Sequence, residues 1–345
     1  MHFKTLLIIA GIAIFLSGFS AREKPKSPET GDDQTIKVNV EMVSLPVVVS
    51  TREGRRITGL TKDDFEIFED GVQQEIAGFA ATDEPVDVAL LLDTSGSTEL
   101  ELAKIQRAAI DFVNQLHPDD EVAVVSFADD VTLQQDFSID RDKNEYGIKK
   151  TRSGGCTVEY EAVWLGLEDV LKPKKERTAL VLFTDGVDTC SHKASEKETL
   201  DLAKETKATI YSVYYNTESD LYRRRSYPGG PGYPGGYPSQ LPPIIMNPNP
   251  PIYGPGGPGS ASSDYVQGRA YLSKLSEYSG GLLFDGMTDL SYAFEQVAKE
   301  LASQYSIGYY PTNSKHDGKF RKVEVKLKKT GLVARTKKGY FAKKK

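Results

Sequence analysis

The strongest constraint on this chain is a strand with no wet face. Val86 to Leu92 is almost wholly apolar and runs straight into Asp93. A strand of that kind is covered on both sides, as strands of parallel sheets are. The same style recurs at Glu121–Phe127, Ala179–Phe183 and Thr209–Tyr215. Helical periodicity fills the gaps. Residues 98–116 put Leu102, Ile105, Ala109, Phe112 and Leu116 on one face of a helix. Further helices are expected over 158–171, 195–206, 265–279 and 290–305. An edge strand is expected over Val131–Phe137 and a short strand over 281–284. Strands alternating with helices imply a doubly wound α/β fold around a mainly parallel sheet.

Residues 84–305 hold this α/β run, and both flanks change style. Residues 36–83 alternate at period two, through Val38, Val40, Val43, Leu45 and Val47 and again at Phe65 and Ile67. Glu69-Asp70-Gly71 is a hairpin-type turn. So short a segment cannot close a comfortable sandwich by itself. Residues 306–345 return to the strand pattern, continuing a strand over Tyr305–Tyr310, with Val323, Val325 and Leu327 alternating with Lys and Glu. The expectation is one small β-sandwich-like unit made from both chain ends, with the α/β domain inserted between them. Within that domain, residues 222–260 break the pattern: eleven of the eighteen prolines fall there, mixed with Gly and Tyr. This reads as a flexible or polyproline-like insert, either a tolerated surface loop or a contact segment.

Charge is divided unevenly. Residues 315–345 carry thirteen Lys and Arg against Asp317 and Glu324, so the remainder of a chain of net charge −6 is acidic. An acidic body argues against nucleic acid as the partner. The basic tail suits solvated, edge-protecting strand faces or contact with an anionic envelope polymer. The first twenty residues read as a secretory signal: Lys4, an apolar run from Leu6 to Phe19, and Gly18-Phe19-Ser20 before cleavage. The alternative is an uncleaved anchor. Residues 21–35 are expected to be a flexible leader. The protein is therefore expected to be exported, secreted or periplasmic, where its cysteines, Cys156 and Cys190, can oxidise.

The chemistry sits at strand ends. Asp93-Thr94-Ser95-Gly96-Ser97 follows the buried strand, and a helix follows it. Ligand sites of open α/β sheets lie at such carboxyl ends. Ser153-Gly154-Gly155-Cys156-Thr157 precedes another helix, and Thr184-Asp185-Gly186 ends a second buried strand. Asp and Ser also cap helices, so Asp-x-Ser-x-Ser alone says little. Three oxygen-bearing loops in order say more. Asp93 and Asp185 at neighbouring strand ends would repel each other without a cation. An all-oxygen set suits a hard divalent ion, Mg²⁺ above all, with Mn²⁺ or Ca²⁺ also admissible.

Enzyme readings fit less well. A phosphatase of the haloacid-dehalogenase type needs its second Asp where Ser95 stands. A hydrolase elbow needs Gly-x-Ser-x-Gly, and Asp93 precedes Ser95 instead. Phosphate-binding and dinucleotide-binding glycine loops are missing from the strand ends. His117 and His192 sit in polar turn sequence, and Trp164 is expected in the core of its helix.

Asp93-x-Ser95-x-Ser97, then Thr157, then Asp185 resembles the metal-ion-dependent adhesion site of von Willebrand factor type A domains. The flanking strings Gly59-Leu60-Thr61-Lys62-Asp63-Asp64-Phe65 and Gln304-Tyr305-Ser306-Ile307-Gly308-Tyr309-Tyr310 resemble those of bacterial secreted proteins related to that family. Cys156 before Thr157 and the long insert depart from the pattern. The resemblance implies a non-enzymatic, metal-dependent module that captures a protein partner through an Asp or Glu carboxylate. The alternatives are an envelope scaffold with a purely structural metal and a Mg²⁺-dependent hydrolase. If the site forms, the loops carrying Cys156 and Cys190 meet at one sheet edge, and a disulfide between them is expected.

Overall fold

The computed structural model describes residues 42–82, 84–172, 174, 177–215, 217, 261–285, 290–342 and 344. Residues 1–20, 21–35 and 222–260, read above as a signal, a leader and an insert, lie outside the described residues. In chain order the strands of the first flank are β1 (Val43–Thr51), β2 (Phe65–Glu69), β3 (Val72–Gln74) and β4 (Ile76–Ala80). The α/β region follows with β5 (Asp87–Asp93), α1 (Leu102–Gln115), β6 (Glu121–Phe127), β7 (Val131–Ser138), α2 (Arg141–Lys150) and α3 (Glu159–Leu165). It continues with β8 (Thr178–Thr184), α4 (Glu196–Glu205), β9 (Thr209–Tyr214), α5 (Ala261–Ser279), β10 (Leu283–Phe284) and α6 (Leu290–Leu301). The last strands are β11 (Gln304–Tyr309), β12 (Phe320–Leu327), β13 (Leu332–Arg335) and β14 (Gly339–Phe341). No helix among the described residues is long and apolar enough to cross a membrane.

The central sheet has six strands in the order β10-β9-β8-β5-β6-β7. All pairs are parallel except β6 with β7. Successive residues of β5 enter opposite cores. Val88, Leu90 and Leu92 pack with Phe112 of α1 and Phe294 of α6. Ala89 and Leu91 pack with Ala162 of α3, Ala203 of α4 and Leu272 of α5. Two apolar faces on one strand explain the unbroken hydrophobic run. The chain leaves β5 toward β6 and leaves β8 toward β9, so the order reverses between β5 and β8. The crevice at that reversal is where α/β sheets place ligands.

The chain ends build two four-stranded antiparallel sheets, β13-β1-β11-β4 and β14-β12-β2-β3. β1 pairs with β11 from Val43↔Tyr309 to Val48↔Gln304, and β2 pairs with β12. The sheets share a core of Leu45, Val47, Phe65, Ile67, Tyr305, Ile307, Tyr309 and Val325. Asp70 (φ 48°) and Gly71 (φ 85°) both adopt the left-handed conformation that a tight β2–β3 hairpin turn requires.

Several expectations need correction. The last helix ends at Leu301, not at 305. Val297, Leu301 and Tyr305 keep helical spacing, but Tyr305 belongs to β11 and is buried in the sandwich. Helix α2, absent from the sequence reading, is polar and turns only Ile148 into the core cluster on its side of the sheet. Trp164 lies on the exposed flank of α3, because Ala162, Val163 and Leu167 take the inward positions. The basic tail is not wholly solvated: Arg321 and Lys337 are buried.

Candidate metal centre

The strand-end loops are tied together by hydroxyls. Asp93 ends β5 fully buried. Its Oδ1 accepts the Ser95 backbone N–H at 2.9 Å, and its Oδ2 accepts the Thr184 hydroxyl at 2.8 Å. Ser97 Oγ lies 3.0 Å from Ser95 Oγ and donates to Asp185 Oδ2 at 2.8 Å. Asp185 Oδ2 also accepts the Thr217 hydroxyl at 2.6 Å, and Thr217 meets the Tyr265 hydroxyl at 2.8 Å. Asp93, Ser95, Ser97 and Asp185 thus form one connected group across the crevice between β5 and β8.

The loop before α3 is pinned to the same edge by its backbone. Gly96 N–H donates to Gly155 O at 3.0 Å and Gly154 N–H to Thr94 O at 2.9 Å. Gly155 is in the left-handed region (φ 68°), and a Cβ there would lie 1.9 Å from Asp129. Asp129 instead accepts the Cys156 N–H at 2.9 Å. Thr157 is buried; its N–H donates to the Thr189 hydroxyl at 2.8 Å, and its carbonyl accepts from Thr189 and Cys190. No hydrogen bond joins its hydroxyl to the four-residue group among the described residues. The Cys156–Cys190 disulfide, with Cα atoms 6.0 Å apart, closes the contact between these loops.

Burial and then Asp185 push the Asp93 carboxyl up to about 7. Burial also raises Asp185, against the pull of Thr217 and Ser97. A third carboxyl, unforeseen in the sequence, is Glu159 at the start of α3. It is fully buried, and neither of its oxygens has a hydrogen-bond partner among the described residues. Burial, then Asp93, Asp185 and Asp188, hold it well above the usual carboxylate range. Thr184, Thr217 and Tyr265 were likewise unforeseen. Thr184 is the residue before Asp185, and Thr217 repeats the signal of a hydroxyl just past a strand.

The donor set fits a hard cation in chemistry. It consists of oxygens, its carboxyls are buried, and no basic side chain pairs with Asp93 or Asp185 among the described residues. Nor, among those residues, do three Asp, Glu, His or Cys side chains converge closely enough to hold a metal unaided. An ion here could draw on the hydroxyls of Ser95 and Ser97 beside the two carboxyls. His117 and His192 are exposed and lie beside Asp119 and Glu161.

The family model described as von Willebrand factor type A domain matches residues 87–224. A comparison with curated proteins found no match. Among solved structures, an aerotolerance-related membrane protein from Bacteroides fragilis is similar at 17% identity and TM-score 0.41, covering 63% of this chain and 98% of that one. Proximal thread matrix protein 1 from the mussel byssus, with a zinc-occupied MIDAS motif, is similar at 20% identity and TM-score 0.41, covering 66% and 48%. The manganese-loaded TRAP protein of Plasmodium vivax is similar at 20% identity and TM-score 0.32, covering 49% and 70%.

Proposed function

We propose that Asp93, Ser95, Ser97, Thr157 and Asp185 hold a divalent cation, Mg²⁺ in preference to Mn²⁺ or Ca²⁺, and that this edge binds a protein partner presenting an Asp or Glu carboxylate. The observation that carries the reading is a pair of buried carboxyls, Asp93 and Asp185, bridged by hydroxyls and lacking any basic partner among the described residues. Two buried acids in one crevice are costly unless protonated or neutralised by a cation. Ser95 and Ser97 present neutral oxygens. An ion held largely by hydroxyls keeps positive field to offer an incoming carboxylate. The disulfide and the Gly154–Thr94 bond fix the loops before the partner arrives, which lowers the ordering cost of binding.

The family match supports a binding module, and no residue is assigned a catalytic role. The disulfide supports an exported location, as the signal-like first twenty residues do. Calorimetric titration with MgCl₂ tests the site. One ion should bind the wild-type protein and none Asp93→Ala, whose melt should stay cooperative. Unchanged affinity in that variant defeats the assignment. Crystals grown with divalent metal test the partner chemistry: a carboxylate from a neighbouring molecule on the ion supports capture. An ion closed off entirely by this chain's own side chains favours a purely structural metal.

A further inference from the structure

The opposite end of the central sheet carries a different kind of opening. A cavity of about 580 Å³ lies between the starts of β8 and β9 and the sandwich. That volume is in the ~300–1,000 Å³ range of small-molecule clefts. Its lining includes Thr178 and Ala208 from the starts of these strands, the apolar Leu171 and Leu202, and Lys337 and Phe341.

Charge on this lining is one-sided, with five lysines against Glu168 and Glu205. Lys172 pairs with Glu168, and Lys174 pairs with Glu121 at 3.1 Å. Lys207, Lys315 and Lys337 have no carboxylate partner among the described residues. Lys207 and Lys315 are exposed at the cavity, whereas Lys337 is only 3% exposed. Among the described residues the Lys337 ammonium makes one hydrogen bond, to Thr206 O at the C-terminal end of α4, at 3.3 Å. An ammonium has three donors, so donors remain for a ligand. The backbone holds it in place: Gly280 is left-handed (φ 87°) and packs so tightly that a Cβ would lie 2.7 Å from Lys337 N. Burial, then Lys207, lowers the Lys337 ammonium to about 8. A buried cation beside a second cation is unfavourable without a counter-charge.

We propose that this cavity binds a small organic anion with an apolar body, its head group on Lys207, Lys315 and Lys337 and its body against Leu171, Leu202 and Phe341. Carboxylate and phosphate heads share this chemistry, and the site is independent of the metal edge.

Calorimetric titration of the full chain in EDTA tests it, with decanoate, decyl phosphate, inorganic phosphate and decyltrimethylammonium as probes. One decanoate or one decyl phosphate should bind per chain, the tighter of the two naming the preferred head. Decyltrimethylammonium should bind at least tenfold more weakly. Lys337→Met should lower affinity for the anionic amphiphile at least tenfold. Lys207→Gln should lower it several-fold; this exposed change keeps the test open if Lys337→Met fails to fold. Equal binding of the cationic amphiphile, or wild-type affinity in Lys207→Gln and in a folded Lys337→Met, overturns the proposal. Inorganic phosphate binding as tightly as decyl phosphate overturns the apolar half of it. No binding of either anionic amphiphile in EDTA overturns the proposal, and binding that then appears on adding excess Mg²⁺ assigns the anion to the metal edge.

Discussion

At Asp93 a buried carboxyl becomes a pH sensor for the whole fold. Its folded value of about 7 lies above the ordinary aspartate value of about 3.9. The folded state therefore binds the proton more tightly, and the stability this adds is full below the ordinary value. It is lost as pH rises through about 7. Glu159 acts in the same direction. In EDTA the melting temperature should fall between about pH 5 and about pH 8, and excess Mg²⁺ should raise it more at the upper end. Scanning calorimetry at the two pH values checks this; a profile that is flat and indifferent to Mg²⁺ contradicts it. Glu159→Gln keeps the shape and removes one titrating group, so its EDTA profile should be flatter than wild type. An unchanged slope would mean that Glu159 ionises as freely in the fold as in the unfolded chain.

Asp93 and Asp185 were legible in the sequence because each closes an apolar strand, and position along a strand is a local property. Glu159 was not. Its spacing from Thr157 looks like ordinary first-turn helix acidity, and only packing shows that water is excluded from it. Thr217 and Tyr265 stand on either side of the proline-rich insert. Only the return of α5 beside β9 brings their hydroxyls within 2.8 Å.

At the scale of elements, the loop joined by Cys156 and Cys190 spans 34 residues. By the chain-entropy estimate, closing it stabilises the fold by roughly 3–4 kcal/mol. The double variant Cys156→Ser/Cys190→Ser should lose about that much in urea melts. It should also bind Mg²⁺ more weakly, since Thr157 and Asp185 are then less firmly related. Full metal affinity in the double serine variant would show that backbone bonds alone align the loops. In the sandwich, Glu69 is buried and accepts the hydroxyls of Tyr309 at 2.7 Å and Tyr340 at 2.8 Å. Tyr309→Phe should cost about 1–3 kcal/mol by withdrawing one donor from a buried acid. A denaturation midpoint equal to wild type would contradict that. The alternating strands were readable from period two, but nothing local told that Tyr309 and Tyr340 share one acid from β2. Helix α2 escaped notice for the opposite reason: its polar surface leaves little periodicity to read.

Across the whole molecule, Glu300 of α6 joins the α/β region to the sandwich. It pairs with Arg56 at 2.8 Å and with Arg335 of β13. Gln304 adds a hydrogen bond to Thr209 of β9 at 2.7 Å. Glu300→Ala should cost about 2 kcal/mol, the scale of hydrogen bonds to charged groups. It should also broaden or split a single calorimetric transition. A sharp transition of unchanged enthalpy would show that the two regions unfold together without this acid. The insertion of one region into the other was legible from the style change at both flanks. The ionic seam was not, because Arg56, Glu300 and Arg335 come from three distant segments.

The pairing of β1 with β11 also sets an order in time. As the chain emerges, β1 to β4 come first; β2 can pair with β3 at once, but β11, β12 and β13, which pair with β1, β2 and β4, follow only after the entire α/β region. A closure over so long a stretch is slow unless something draws the ends together first. The α/β region does this, since β5 and α6 bring their outer ends to the sandwich. Until then the early strands have unpaired edges and an open apolar face, the condition in which chains associate wrongly. Completion of the sandwich therefore depends on the α/β region, and a chain stalled before that region closes would keep the exposed edges of its early strands.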